Sequence, residues 1–434
     1  MTSSKRFSDH PGHLIRIGTA DKFVLRTALL YGANAAGKSN LIRAMAFAQK
    51  AIIEPRGRGP ISEPFRFGSD KDRKPSSFEF RFLIEDHVFV YGFDINGRKI
   101  DSEWLFVCKG DDELCIFERD DKGNTKLGTT YQNFLDHDRI LVKTLKALIS
   151  LPLRLDQLFF SRACGLPEEV QGIILGAVIR WLTKELVILN ASHRSFDILD
   201  RLHRNPEFLR FSGEFLRNVG TGVGELKLEE DERDAEDWER KYLPLYGPDQ
   251  RPPFYQEDRD IRQKNDDPSR VIDRRLLAVH ERGGDHAFLP FSEESDGTQQ
   301  LLHLMPVLAS PGQGGKVVVL DELDRSLHPL ICWEFIRFFS ESCPGTHKQL
   351  IVTTHEAHLL NQDLLRRDEY WFVEKDVQQQ SQLVPLSGFR IRNDLQVAKG
   401  YLNGRFGAIP MIGPMDSLEK LLSEGLNSEV HNAP

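Results

Sequence analysis

The chain has 434 residues, with 57 Lys and Arg against 65 Asp and Glu for a formal net charge of −8, and it is 40% apolar and 28% charged. This length and composition suffice for two or three domains with a large buried core and exclude a chain that is disordered throughout. The mild acidity excludes attraction to nucleic acid through overall charge; a local basic face would not show in the sum, so DNA stays open as a partner.

The N-terminal stretch 1–12 is polar and has no apolar core, so neither export nor membrane insertion is expected. The greasiest stretch, 141–160, is broken by Lys143, Lys146, Arg154 and Asp156 and is unsuited to spanning a bilayer. A soluble cytoplasmic protein with no membrane partner is the expectation. Cys108, Cys115, Cys164, Cys332 and Cys343 form no C-x-x-C pair, which points to buried reduced thiols in place of disulfides or structural zinc.

In chain order, residues 23–31 read as a short strand followed directly by a glycine-rich turn. Apolar Leu41, Ile42, Met45 and Ile52 then fall at helical spacing until Pro55 stops the run. Residues 77–84, 88–95 and 100–108 alternate or are rich in β-formers, with Asn96-Gly97 as a hairpin turn, so an antiparallel sheet is expected there. From 131 to 218 the pattern turns helical, including an all-round apolar helix over 168–189 and one over 206–219 with Pro206 at its first position. The mixed-charge run 229–240 reads as a solvated helix, and the Pro-, Asp- and Arg-rich stretch 247–268 as a mobile loop. Beyond 276 come a helix over 298–308 kinked at Pro306, an apolar strand over 316–320, and a helix opened by Pro329. Buried strands follow over 350–353 and 370–373, with a helix over 356–365 between them.

The segment Gly32-Ala33-Asn34-Ala35-Ala36-Gly37-Lys38-Ser39 fits G-x-x-x-x-G-K-[ST], with a predicted strand before it and a helix after it. Gly32 and Gly37 let the backbone curl so that successive N–H groups converge on phosphates beside a helix N-terminus. Lys38 adds a point charge, and the Ser39 hydroxyl can ligate Mg²⁺. The strand ending in Asp321-Glu322 suits the sheet edge beside such a loop: Asp321 can hold Mg²⁺ through water, and Glu322 is placed to activate the attacking water. An Asp-Glu pair is also common in helix caps, and Lys38 is what tips the reading toward catalysis. Just upstream, Glu294-Ser295-Asp296-Gly297-Thr298 opens a further helix. Its natural client is a nucleotide bound to another copy, because Lys38 already occupies this chain's own pocket.

The order of these motifs, a Walker A sequence from Gly32 to Ser39 then Asn40, a signature-like Ser295 to Thr298, Walker B Asp321-Glu322, a D-loop-like Leu323-Asp324 and a switch-like Thr353-Thr354-His355, resembles the ABC-class ATPases of the SMC, RecF and OLD type. With Gly404-Arg405-Phe406-Gly407-Ala408-Ile409-Pro410, the same motifs are similar to the RloA-like ATPases of bacterial phage-defence loci. The resemblance implies an α/β, ABC-class P-loop NTPase fold with an antiparallel β subdomain and an inserted helical domain. The implied parts are an N-terminal ATPase lobe over 1–130, a helical insertion over 131–222 and a C-terminal ATPase lobe over 223–434.

It further implies a homodimer, or a larger assembly of dimers, that hydrolyses ATP with Mg²⁺. Gly32, Asn34, Ala35, Ala36, Gly37, Lys38, Ser39 and Asn40 would bind nucleotide, with Ser295, Gly297 and Asp324 completing the pocket across the interface. Lys38, Glu322 and His355 would be catalytic, His355 as a γ-phosphate sensor, and Ser39 and Asp321 would serve the metal. The implied role is a switch that holds a separately encoded nuclease or toxin until a phage-derived trigger arrives, as in Septu-type or PARIS-type systems; the short stretch after Pro410 leaves no room for a Toprim nuclease. The alternative is a DNA-binding repair or chromosome-maintenance ATPase, for which Arg201, Arg204, Arg210 and Arg217 are the candidate basic tract.

Overall fold

The computed structural model describes residues 3–4, 7, 9–17, 23–54, 61–65, 74–110, 112–128, 138–190, 198–245, 258–264, 267, 269–309, 317–341, 347–390 and 396–409. Among these, six strands form a central sheet in the spatial order Ser381–Pro385, Tyr370–Lys375, Thr27–Tyr31, Gln349–Thr353, Val317–Leu320, Leu186–Leu189. All run parallel except the Ser381–Pro385 edge, which returns antiparallel on Tyr370–Lys375. The strand preceding the glycine-rich loop and the strand ending in Asp321 are therefore separated by one intercalated strand, Gln349–Thr353. All three deliver their following residues to the same, carboxyl, edge, where ligands of parallel sheets bind.

Side-chain alternation divides the core in two. Leu29, Tyr31, Val318, Leu320, Leu350 and Val352 pack with helices Ile198–Arg204, Pro206–Asn218, Asp296–Leu308 and Pro329–Glu341. Val319 and Leu186 point the other way and join helix Lys38–Ile53 to a five-stranded antiparallel meander, Ser76–Ile84, His87–Asn96, Lys99–Lys109, Asp112–Arg119 and Thr125–Leu127. The meander carries the expected Asn96-Gly97 hairpin, with Gly97 at φ 61°. Helices Arg139–Ile149, Phe159–Cys164 and Ile173–Arg180 cover it. Their attachment includes a buried Glu103 that accepts from the Phe159 and Phe160 N–H groups at 2.6 and 2.8 Å and from Tyr91 Oη at 3.1 Å. This mixed α/β architecture, a mostly parallel central sheet beside an antiparallel β subdomain, is the one expected. Among the described residues no helix is long and apolar enough to cross a membrane.

Four local expectations are corrected. Residues 23–31 form two strands, Phe23–Leu25 and Thr27–Tyr31, because Arg26 bends out of the ladder; its N–H goes to the His13 carbonyl at 2.9 Å. The apolar run 168–189 is not one helix. Gly172, at φ 78°, breaks it, and its last four residues are the strand Leu186–Leu189, so the 131–222 segment supplies a strand to the central sheet as well as helices. Residues 356–365 hold only a short 3-10 turn, Ala357–Leu359.

The charged run is mostly a strand, Glu225–Asp234, followed by a short helix, Asp237–Tyr242. Glu229, Glu230 and Asp234 lie opposite Arg275, Arg274 and Arg270 of Arg270–Arg282, and such cross-strand opposite charges favour pairing. At the centre of this second antiparallel sheet, Asp273 takes Arg233, Arg259 and Arg275 together. Burial opposes ionisation of Asp273, but the arginine hydrogen bonds and charges outweigh it and hold the carboxyl at about 2. The supposed mobile loop lies largely outside the described residues, at 247–257, 265–266 and 268. Its described part includes the strand Arg259–Gln263.

Burial pushes the thiols of Cys164 and Cys332 up to about 12 and that of Cys115 to about 11, as expected for reduced thiols in apolar surroundings. Cys343 lies outside the described residues.

Candidate nucleotide site

The glycine-rich loop leaves a strand buried at every residue, Thr27–Tyr31, and enters the helix Lys38–Ile53. Gly32 is required by close approach, since a Cβ there would come within 2.8 Å of the Val373 carbonyl. Gly37 is required by conformation, being the helix N-cap at φ 113°. Ala35 also adopts a left-handed φ of 63°, which turns the loop on itself. Lys38 is buried and folds back to donate to the carbonyls of Gly32 and Ala33 at 2.7 and 3.3 Å. Asn34, Ala35 and Asn40 are exposed on the loop and first turn, Ser39 is half-buried, and Ala36 is buried beneath them.

Asp321 and Glu322 follow the strand Val317–Leu320 and are fixed by one hydroxyl. Thr353 Oγ1 accepts from the Glu322 N–H at 2.8 Å and donates to Asp321 Oδ1 at 2.5 Å. An amide N–H can only donate, so the hydroxyl proton must point to the carboxylate. Glu322 itself holds φ 54°, a left-handed conformation that costs a non-glycine residue roughly 1–2 kcal/mol. The Asp324 carboxylate accepts from the His355 N–H at 3.2 and 3.3 Å, tying the turn after one strand to the turn after its neighbour.

The electrostatics join these groups. Lys38 is lowered from the ordinary lysine value by burial, against the pull of Asp321, Asp324 and Glu322. His355 is lowered by desolvation and then by the positive charge of Lys38, against Asp324, Glu322 and Asp321. Lysine, three carboxylates and imidazole thus share one field at the carboxyl edge of the sheet.

Ser295 and Gly297 stand elsewhere. Ser295 caps the helix Asp296–Leu308, its Oγ accepting from the Thr298 N–H at 3.2 Å. Ser295 and Asp296 are exposed, and among the described residues no hydrogen bond or ion pair joins Ser295 or Gly297 to Lys38, Asp321 or Glu322. Gly297 is needed because a Cβ there would run into the carbonyl of Ser326, itself at φ 61°, in the turn after Glu322. Between Pro55 and Phe82 the sequence holds no glutamine for a magnesium-contacting loop, and 55–60 and 66–73 of that interval lie outside the described residues.

Two contributors escaped the sequence. Thr353 was visible only as part of a switch-like triplet, whereas its hydroxyl is the clamp on both acidic residues. Ser381, on the edge strand, donates to the Ala36 carbonyl at 2.6 Å. The Gly404–Pro410 segment is a packing element over its described residues, 404–409. Phe406 is buried, stacking on Phe372 at 5.4 Å and meeting Phe389 edge-on at 5.3 Å, beside the strand that flanks the glycine-rich loop.

The profile of the family described as "AAA domain, putative AbiEii toxin, Type IV TA system" matches residues 28–159 and 189–361, which include every site residue above except Ser381. Among solved structures, the chain is similar to the SMC head domain from Thermotoga maritima, at 13% identity and a TM-score of 0.32, over 87% of this chain and 97% of that one. It is also similar to an Smc head domain with an extended coiled coil bound to the C-terminal domain of ScpA, derived from Pyrococcus furiosus, at 13% identity and a TM-score of 0.32, over 85% of this chain and 93% of that one. No curated protein matches the chain.

Proposed function

The chain belongs to this family of AAA-domain ATPases, and from that premise we propose that it is an ATP-hydrolysing dimeric switch. The observation that carries the reading is the gathering of Lys38, Asp321, Glu322, Asp324 and His355 around a phosphate-type loop at one sheet edge. Lys38 would exchange its loop carbonyls for the β- and γ-phosphates. Glu322 would take a proton from the attacking water, and His355, kept neutral, would contact the γ-phosphate. Mg²⁺ fits the chemistry of the donor set, the Ser39 hydroxyl and the Asp321 carboxylate, because such an ion ordinarily takes one or two protein oxygens together with phosphate and water. When bound, it would neutralise charge developing on the phosphates.

Completion of the pocket by Ser295 and Gly297 of a second copy is supported by the exposure of Ser295, with Gly297 half-buried behind it, at a helix N-terminus that among the described residues has no hydrogen bond or ion pair to the chain's own Lys38. Control of a separately encoded nuclease or toxin in phage defence, in response to a phage-derived trigger, is supported by the family description, which names a toxin and a toxin–antitoxin system. The DNA-binding alternative draws on Arg210 and Arg217, exposed on the helix Pro206–Asn218. Arg204 is instead paired with Asp200 at 3.2 Å, and Arg201 lies over the Phe208 ring. A DNA affinity falling steeply with salt would favour that alternative.

The test is Glu322→Gln in the full chain with ATP and Mg²⁺. Turnover should fall at least about a hundredfold while ATP affinity stays within a few-fold, because the proton acceptor is gone and the phosphate cradle is not. Unchanged turnover removes Glu322 from the mechanism.

A further inference from the structure

We propose that Ser381 is a positioning residue for the phosphate loop, setting the direction of the Gly37 N–H from a strand almost 350 residues away in sequence; this rests on the nucleotide-binding reading above. In a trans peptide the carbonyl of one residue and the N–H of the next point in opposite directions. The Ala36 carbonyl is held outward by the Ser381 hydroxyl at 2.6 Å, so the Gly37 N–H is aimed the other way, into the concavity of the loop. Among the described residues that N–H has no protein acceptor, as expected of a group reserved for an anion at a helix start.

The contact is specific to this pair. A Cβ on Gly37 would collide with the Ser381 side chain, so the serine fills the space that the glycine leaves. The hairpin that carries it is set independently of nucleotide. The Asp376 carboxylate accepts from the N–H groups of Gln378 and Gln380 at 2.9 Å each, the Asp376 N–H meets the Gln380 carbonyl at 2.9 Å, and Gln379 takes φ 66°. The neighbouring strand of the same hairpin presses the Val373 carbonyl against Gly32, so both glycines of the loop are shaped by one hairpin.

The experiment compares wild type, Ser381→Ala and Ser381→Thr, full length, by calorimetric titration with ADP and by steady-state ATP turnover. Loss of the hydroxyl should raise the ADP Kd and the ATP KM about tenfold. The kcat at saturating ATP and the melting temperature without nucleotide should hold, and Ser381→Thr should stay within about twofold of wild type. An alanine variant with unchanged KM and ADP affinity overturns the proposal while leaving the ATPase reading intact. Equal weakening in both variants, or a kcat and melting temperature that fall with affinity, assigns the effect to packing and overturns it too. A wild-type chain that binds neither ADP nor ATP overturns the ATPase reading and this proposal together.

Discussion

At the level of single residues, the proposed catalytic geometry depends on side chains already fixed by hydrogen bonds. Thr353 satisfies the Glu322 N–H and the Asp321 carboxylate at once, and valine of the same shape would satisfy neither. Removing a hydrogen bond to a charged, buried acceptor is worth roughly 1.5–3 kcal/mol. Thr353→Val should therefore lower kcat by at least about tenfold while nucleotide still binds, as measured by turnover at saturating ATP. His355 provides a pH test. Desolvation and the Lys38 charge hold its imidazole below the ordinary 6.5, so the folded chain binds fewer protons there than the unfolded one. Its contribution is complete above about pH 6.5 and is lost as pH falls below that value. An NMR titration of the nucleotide-free protein should place the His355 midpoint below 6.5; a midpoint above it would contradict the site electrostatics.

At the level of elements, contiguity decided what could be read. The loop from Gly32 to Ser39 and the strand ending at Asp321 were legible because each motif lies within one short stretch whose flanks fix its structure. Leu186–Leu189 was not, because a short apolar run after a helical one is compatible with a buried helix or a buried strand, and only its pairing with Val317–Leu320 decides. Glu225–Asp234 was misread for a related reason: its acids are matched by arginines at 270–275, some forty residues on. Thr353 and Ser381 gain their roles from strand order alone, which no local window contains.

The same dependence on neighbours gives the 404–409 segment a testable weight. Phe406 lies against Phe372 and Phe389, and truncating a buried phenylalanine costs about 3–5 kcal/mol. Phe406→Ala should lower the melting temperature by several degrees. A melting temperature equal to wild type would show that the segment is not part of the core.

For the whole molecule, the distribution of charge matters more than its sum of −8. Arginines of the second antiparallel sheet are committed to partners, Arg233, Arg259 and Arg275 to Asp273 and Arg262 and Arg274 to Asp200. That sheet is thus built for internal cohesion. The glycine-rich loop and the Ser295 helix start, by contrast, place two helix N-termini of the same anion-seeking kind in one chain. In the proposed dimer, two copies of the chain would each bring the missing half of the pocket to the other's triphosphate. The direct measurement is the mass in solution of the full-length Glu322→Gln chain, with and without ATP and Mg²⁺. The account predicts a dimer or a multiple of dimers that forms with ATP and is lost on Ser295→Arg. An ATP-bound species that stays monomeric at every concentration would contradict it.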